Sequence, residues 1–515
     1  MIESLLSPSL CETYPMKRGL RRKAEIDGPF GQISAYATIT DLPDELLEKI
    51  VEDVDDNASI CRLSLTCKRL HFLVLPMYFS RNKLEDLQNG FFHCQRPVPE
   101  LLEAIRTALF IRNLSTCTFF FTSKDIEQVI SDTSSLRGLL ARIPPVDKIV
   151  VGLPQYVPYP HLERWGTELL KLLETIAKSG CRDLSLLDQM PNKFRNNLYI
   201  VTPPPAKPTG TKFRGTKYWG GFRAPPHSTG TSTIQILASR LFQPYFTGCI
   251  IDMLEVNLES LVCIHLDVTS IEPVLLSRIS ESMNLPAIKE VKISSRFNLV
   301  WVGLCSFLNR HSSIASLHLD GILPVKDPQI PDPPIILPYL TELTTIPPIV
   351  TLLLQHRNRM PFLSSVHVLL NQSELDPLAA VATHAHISSL QLSNGLRGDI
   401  CTILNGYIRE DEHSRVITSL VHIRSVVLDE RIYPANSSPL TVRRWLYLFP
   451  HLEHASFSFR LLDARSELSG EERHDVVTEF ATQLAADRPT MKTLSVRFSP
   501  VVNLDELRRV PGFKA

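Results

Sequence analysis

In the stretch "LPDELLEKIVEDVDDNASICRLSLTCKRL" (42–70) the apolar residues recur at helical intervals. Leu42, Leu46, Leu47, Ile50, Val51 and Val54 fall on an arc of roughly half a helix at about 100° per residue. Pro43 suits a first helical turn, where its missing N–H has no partner to lose, and Asp44 and Glu45 meet the positive end of the helix dipole. Asn57 or Ser59 is expected to cap a second helix, in which Ile60 and Leu63 face one way and Cys61 and Leu65 another. A third run, "RLHFLVLP", places Leu70, Phe72, Leu73, Val74 and Leu75 almost all round its axis, and Pro76 is expected to stop it. Three short helices over about 40 residues are near the lower limit of independent folding, and here apolar surface is left over after they pack on each other. Either the rest of the chain or a second protein must cover it.

From about residue 100 the pattern changes to short apolar strands alternating with helical runs, which predicts an α/β architecture. One phrase then recurs: an apolar residue, two others, an apolar, one other, an apolar. It reads "LVCIHL" from Leu261, "IKEVKI" from Ile288, "IASLHL" from Ile314, "LSSVHV" from Leu363 and "ISSLQL" from Ile387. It returns as "IRSVVL" from Ile423, "LEHASF" from Leu452 and "MKTLSV" from Met491. The starts at 261, 288 and 314 are 27 and 26 residues apart, and 363 to 387 is 24. Between the phrases lie amphipathic runs, with Trp301, Leu304, Phe307 and Leu308 on one face of one and Val442, Trp445, Leu446 and Phe449 on another. A unit this small cannot bury its own apolar face, so neighbouring units must stack and share a core.

In that period and phrase, residues 255–500 resemble leucine-rich repeats of the longer, helix-containing kind. The asparagine usual after the strand is present at Asn371 and missing from most units. The intervals 387–423 and 452–491 are stretched, and "VDKIVV" (146–151) and "CRDLSL" (181–186) look like earlier, degenerate units. The resemblance implies an irregular horseshoe with parallel strands on its concave side.

At 515 residues the chain exceeds one compact core, so several domains or an elongated array are expected. The expected order is a disordered tail (1–37), the helical segment (38–83), a linker with degenerate first repeats (84–189), a flexible Pro/Gly-rich basic insert (190–233) and the repeat domain (234–515). Lys plus Arg equals Asp plus Glu, 54 each, which removes any global electrostatic case for nucleic acid or an anionic membrane. The tail's basic cluster of Lys17, Arg18, Arg21, Arg22 and Lys23 reads as solvated chain before it reads as a nuclear import signal. No long apolar segment opens the chain and none later reaches the ~20 residues that span a bilayer, so a cytoplasmic or nuclear protein without a membrane partner is expected.

Candidate chemistry is sparse. Ten cysteines lie between Cys11 and Cys401 without a Cys-x-x-Cys pair, and are expected to be reduced and mostly buried. Gly210 and Gly215 have P-loop spacing, but Thr216-Lys217 reverses the order such a loop requires. Phe213, Tyr218, Trp219, Phe222 and Arg223 of the insert have the composition of a single-strand RNA or peptide grip, against the plainer expectation of a disordered loop. The pairs His384/His386 and His451/His454 lack a third ligand at metal spacing. No nucleophile elbow, dinucleotide fingerprint or His-Glu-x-x-His motif is present, so no enzyme, metal or cofactor is expected.

The order Leu-Pro-x-Glu-Leu-Leu, a helix, a polar break and then "LSLTCKRL" resembles an F-box, the motif that plugs substrate receptors into Skp/cullin/F-box ubiquitin ligases, and it does so over residues 40–79. The ending "LVLPMYF" is similar to the fungal variety, and Leu70 stands where many members carry Trp. The break near Asp56 looks one residue longer than usual. The resemblance implies that Leu42, Pro43, Leu46, Ile50, Leu63 and Leu65 meet the helices of a Skp-type adaptor, with Lys68 and Arg69 at the polar rim. It further implies a cullin reached through that adaptor and an unidentified protein target on the repeats. Two other expectations remain open: a ligase-independent repeat scaffold capped by the helices, and an RNA-binding protein acting through the insert.

Overall fold

The computed structural model describes residues 42–95, 101–143, 146–154, 157–188, 231–242, 244–268, 283–295, 301–320, 334–355, 359–370, 377–394, 404, 420–429, 439–457, 470–496 and 501–510. The expected tail with its basic cluster, the insert up to residue 230 and Asn371 lie outside the described residues. Three helices open the described residues: α1 (Asp44–Glu52), α2 (Asn57–Ser64) and α3 (Lys68–Arg81). A 3-10 turn (Glu85–Asn89) leads through Gly90, in the left-handed region at φ 85°, into the first strand.

The described strands form one sheet whose spatial order follows chain order from β1 to β15. The first five are β1 (Phe91–Cys94), β2 (Thr116–Phe120), β3 (Lys148–Leu153), β4 (Asp183–Asp188) and β5 (Thr233–Ile236). Next come β6 (Cys263–Asp267), β7 (Glu290–Ser294), β8 (Ser316–Asp320), β9 (Glu342–Thr345) and β10 (Ser365–Leu370). The last are β11 (Ser389–Asn394), β12 (Ser425–Asp429), β13 (His454–Phe457), β14 (Thr493–Val496) and β15 (Val502–Asn503). Every pairing is parallel except β14 with β15.

Helices cross between strands: α4 (Leu101–Thr107), α5 (Ile126–Arg142), α6 (Tyr159–Lys178), α7 (Pro244–Val256), α8 (Trp301–Arg310), α9 (Pro347–Leu353), α10 (Pro377–Ala382), α11 (Pro439–Leu446) and α12 (Gly470–Asp487). A short α13 (Leu504–Arg508) ends the described chain. Parallel neighbours joined by crossovers in strict sequence order make a leucine-rich-repeat solenoid, and its alternating strand residues explain the core. Val291 and Ile293, Leu317 and Leu319, and Leu390 and Leu392 all point into it.

Adjacent units are joined by a recurring bond. The carbonyl just before one strand accepts two successive amides that open the next: Lys289 O takes Ala315 and Ser316, Ala315 O takes Thr341 and Glu342, and Thr341 O takes Ser364 and Ser365. At the far edge β15 pairs antiparallel with β14, and Arg508 donates to the carbonyls of Ala485, Arg488 and Met491, so backbone groups there are occupied.

The structure adds units that the phrase did not reveal. The 84–189 segment carries β1 and β2 ahead of β3 and β4, which are the units read as "VDKIVV" and "CRDLSL", and β9 fills the gap between 314 and 363, where Thr345, fully buried, replaces the third apolar residue. Thr231 to Thr233, expected to close the insert, belong to the array: Thr231 Oγ1 donates to Cys181 O at 2.9 Å, and β5 begins at Thr233. Irregularity is real, since Asp183 to Thr233 is 50 residues and His454 to Thr493 is 39.

Three local expectations are corrected. Pro76 does not stop α3, which continues to Arg81. The lost N–H deprives only the Phe72 carbonyl, on the less buried side, while Tyr78 and Phe79 beyond it are buried and hold the last turns in place. The cap of α2 is Asp56, not Asn57 or Ser59, because its carboxylate accepts from the amides of Ala58 and Ser59 at 3.2 and 2.9 Å and from the Ser59 hydroxyl at 2.6 Å. Cys61 and Leu65 do not share a face: Cys61 is buried beside Ile60, whereas Leu65 follows the end of α2 and is exposed.

Candidate functional site

The amino-terminal helices sort their apolar residues into two sets. Leu47 and Val51 of α1, Ile60 and Cys61 of α2, and Leu70, Val74, Leu75 and Tyr78 of α3 are buried in the core. Leu46 and Ile50, one turn apart on α1, stay 47% and 40% exposed, and Leu65 at the end of α2 is 56% exposed. The arc foreseen as a single apolar face is thus divided along its length, Leu47 and Val51 inward, Leu46 and Ile50 outward. Pro43, Lys68 and Arg69 are exposed, while Leu42 and Leu63 are half-buried against the core.

Two arginines of α3 fix α1. Arg69 Nε and Nη2 both donate to Asp44 Oδ1, at 2.9 and 2.6 Å. Arg81 Nη1 donates to Val54 O at 2.6 Å, and Nη2 to Val51 O and Glu52 O at 2.9 and 2.8 Å. The second cluster sits where α1 exposes its last carbonyls and its negative dipole end, so a guanidinium there satisfies both. Arg69 holds the first turn and Arg81 the last, and α1 therefore presents Leu46 and Ile50 from a fixed platform.

The helices also join the repeats. His71 is buried, and its Nε2 accepts the Leu109 amide at 3.0 Å while Nδ1 lies 3.3 Å from Ser64 O, which makes Nδ1 the protonated nitrogen. Phe110 packs its ring on Phe72 and Phe79 at 6.1 and 6.0 Å. Neither Arg81 nor His71 is distinguishable in the sequence, because each acts through partners about 30 residues away or more.

The described cysteines and histidines among the candidates have structural surroundings. Burial pushes the thiols of Cys117, Cys181, Cys249 and Cys305 up to about 12, which removes them as nucleophiles. His384 is buried with Nδ1 2.8 Å from Thr383 Oγ1, and His454 Nδ1 lies 2.8 Å from Thr493 Oγ1. Among the described residues no three metal-binding side chains gather, and no helix is long and apolar enough to cross a membrane.

Residues 39–82 match the family model described as F-box-like. These helices are an F-box-like domain. Of the solved structures similar to the chain, one is the leucine-rich repeat-containing protein LegL7 from Legionella pneumophila, at 12% identity and a TM-score of 0.34, covering 76% of this chain and 96% of that one. An internalin, InlF, from Listeria monocytogenes is similar at 12% identity and a TM-score of 0.30, covering 82% of this chain and 95% of its own. No curated protein matches the sequence. The F-box-like domain thus carries its apolar outward residues on helices fixed to the first repeat of the parallel-strand solenoid.

Proposed function

We propose that this protein is the substrate-recognition subunit of a Skp/cullin/F-box ubiquitin ligase, acting in the cytoplasm or nucleus. The F-box-like helices bind a Skp-type adaptor, and through it a cullin, while the repeats hold a target protein. The chain performs no chemistry of its own: it raises the effective concentration of the target near a conjugating enzyme carried elsewhere in the assembly. The observation that supports this reading most is the outward set of Leu46, Ile50 and Leu65, with Pro43 and Lys68 exposed, on a segment matching the F-box-like model. Co-purification with a Skp-type adaptor tests it. The parent chain should retain the adaptor and the Leu46→Ala/Ile50→Ala/Leu65→Ala variant should release it.

A second reading has an observation of its own. His71, Phe79 and Phe110 tie the helices into the first repeat, as a simple amino-terminal cap of a ligase-independent scaffold would require. A cap alone, however, gives no reason for leucines facing solvent. Failure of the parent chain to bind any Skp-type adaptor would favour this reading.

A further inference from the structure

Five consecutive repeats share one turn that the strand phrase does not include. The amides of Leu340, Leu363, Ile387, Ile423 and Leu452 donate to the carbonyls of Leu337, Met360, His384, Leu420 and Phe449, three residues back in each case. The residue at the third position of every one of these turns carries a ring: Tyr339, Phe362, His386, His422 and His451. Pro338, Pro361 and Pro450 precede three of them, at the position where a turn favours proline.

Strand register aligns the rings, because Glu342, Ser365, Ser389, Ser425 and His454 are successive partners and each ring lies three residues ahead of one. Tyr339 and Phe362 are 60% and 63% exposed, and His386 and His451 are exposed as well, while His422 is half-buried. The turn itself does not need a ring. The same amide-to-carbonyl bond closes at Ile288, Ile314 and Met491, where Ala287, Ser313 and Thr490 occupy the ring position.

The charge along this edge is uneven. At its β12–β14 end, Glu453 takes Arg424 Nη1 and Lys492 Nζ, each at 2.5 Å, leaving two cations on one carboxylate. At the other end Glu342 is exposed. Neighbouring strands lie ~4.8 Å apart, so alternate rings recur at ~9.6 Å, close to the ~9.3 Å turn of a polyproline helix of three residues rising ~3.1 Å each. A single-stranded nucleic acid would need cations along the whole row to meet its phosphates; among the described residues the pair on Glu453 lies at one end, and elsewhere beside these turns only the half-buried Arg359 adds one.

We infer that this ring-bearing edge binds an extended proline-rich peptide whose acidic end lies toward Arg424 and Lys492. Aromatic faces take the proline rings, and the periodic match lets every third peptide residue meet every second turn. The inference deepens the reading of the repeats as the part that holds a target, and rests on it for its biological sense, but the surface is independent of adaptor docking.

Fluorescence anisotropy on the full-length protein tests it with three labelled probes: an oligoproline ending in glutamates, a glycine/serine peptide with the same ending, and an oligothymidine. The oligoproline should bind best. Tyr339→Ser/Phe362→Ser should weaken it about tenfold or more without moving the thermal melt, since Ser313 already serves in the same turn. Lys492→Ala should weaken the glutamate-ended probe and not an untailed oligoproline. The Leu46→Ala/Ile50→Ala/Leu65→Ala variant should bind the peptide like the parent, which keeps the two surfaces distinguishable. No binding of oligoproline, equal binding of the glycine/serine probe, tighter binding of oligothymidine, or indifference to the double substitution would each overturn the inference.

Discussion

The outward aliphatic residues of α1 and of the end of α2 set the size of the effect that their removal should have. Burying an aliphatic side chain completely stabilises by about 1.5 to 3 kcal/mol, so a residue left about half exposed still has roughly 0.7 to 1.5 kcal/mol to gain from a partner. Leu46, Ile50 and Leu65 are 47%, 40% and 56% exposed. Together they offer an adaptor on the order of 3 kcal/mol, and truncating all three to alanine should weaken binding about a hundredfold.

The same truncations remove the inner halves of these side chains from the fold, about as much again. Titration calorimetry with a purified Skp-type adaptor therefore belongs well below the melting temperature, with circular dichroism showing the helices intact. Leu47→Ala is the contrast: at 1% exposure it should cost the fold about 2 to 5 kcal/mol and abolish binding only by unfolding. A triple variant that keeps its helices and binds the adaptor within about threefold of the parent would refute the assignment of this face.

Arg81→Met should loosen α1 by freeing the carbonyls of Val51, Glu52 and Val54, and lower adaptor affinity severalfold although Arg81 lies outside the leucine set; amide exchange along α1 checks the cause. His311 is buried with Nε2 accepting the Leu285 amide at 2.8 Å and Nδ1 2.6 Å from Phe307 O, and burial holds its pKa below the ordinary histidine value. Its contribution is thus fully present above the unfolded pKa of ~6.5 and is lost as pH falls below it; His311→Phe, which orphans that amide at about 1 to 3 kcal/mol, should melt well below the parent at pH 8 and close to it at acid pH. His318 shifts in the same direction, so the parent's acid sensitivity should persist in part in the variant. A Cβ at Gly152 would overlap the ring of Phe120, its partner on β2, so Gly152→Ala should cost about 1 to 3 kcal/mol in denaturant melts and Phe120→Ala should relieve most of it.

Apart from "CRDLSL", which opens on Cys181, the units legible in the sequence were those whose three inward positions are all aliphatic or aromatic. β9 escaped because Thr345 occupies the third, and β5 because Thr231 stands where a leucine or isoleucine opens most phrases; both threonines are buried, and Thr231 has carbonyl and amide partners that no periodicity encodes. β2 is Cys117 and Phe119 behind Leu114, a pattern visible only once the register is known. The exposure of Leu46 against the burial of Leu47 was equally out of reach, since both lie on the same predicted arc and only the position of α3 decides between them. The cap moved from Asn57 or Ser59 to Asp56 for a local reason: a carboxylate one residue earlier reaches two amides and a hydroxyl at once.

A receptor that works by proximity needs more than two binding surfaces, because effective concentration falls when the link between them is slack. Here the link is short and packed. Gly90 turns the chain directly from the helical segment into β1, and its carbonyl accepts the amides of Ser115 and Thr116 where β2 begins. His71 bonds Leu109 ahead of β2, and Phe79 and Phe110 meet edge to face. A force or rotation applied to the F-box-like helices is therefore carried into the first two repeats through a buried imidazole and aromatic contacts, and onward through carbonyls that each clamp the next strand. Inserting a flexible glycine/serine stretch after Asn89 together with His71→Ala and Phe110→Ala loosens the chain link and the packed contacts alike, so adaptor and peptide binding should survive separately and target ubiquitination should fall.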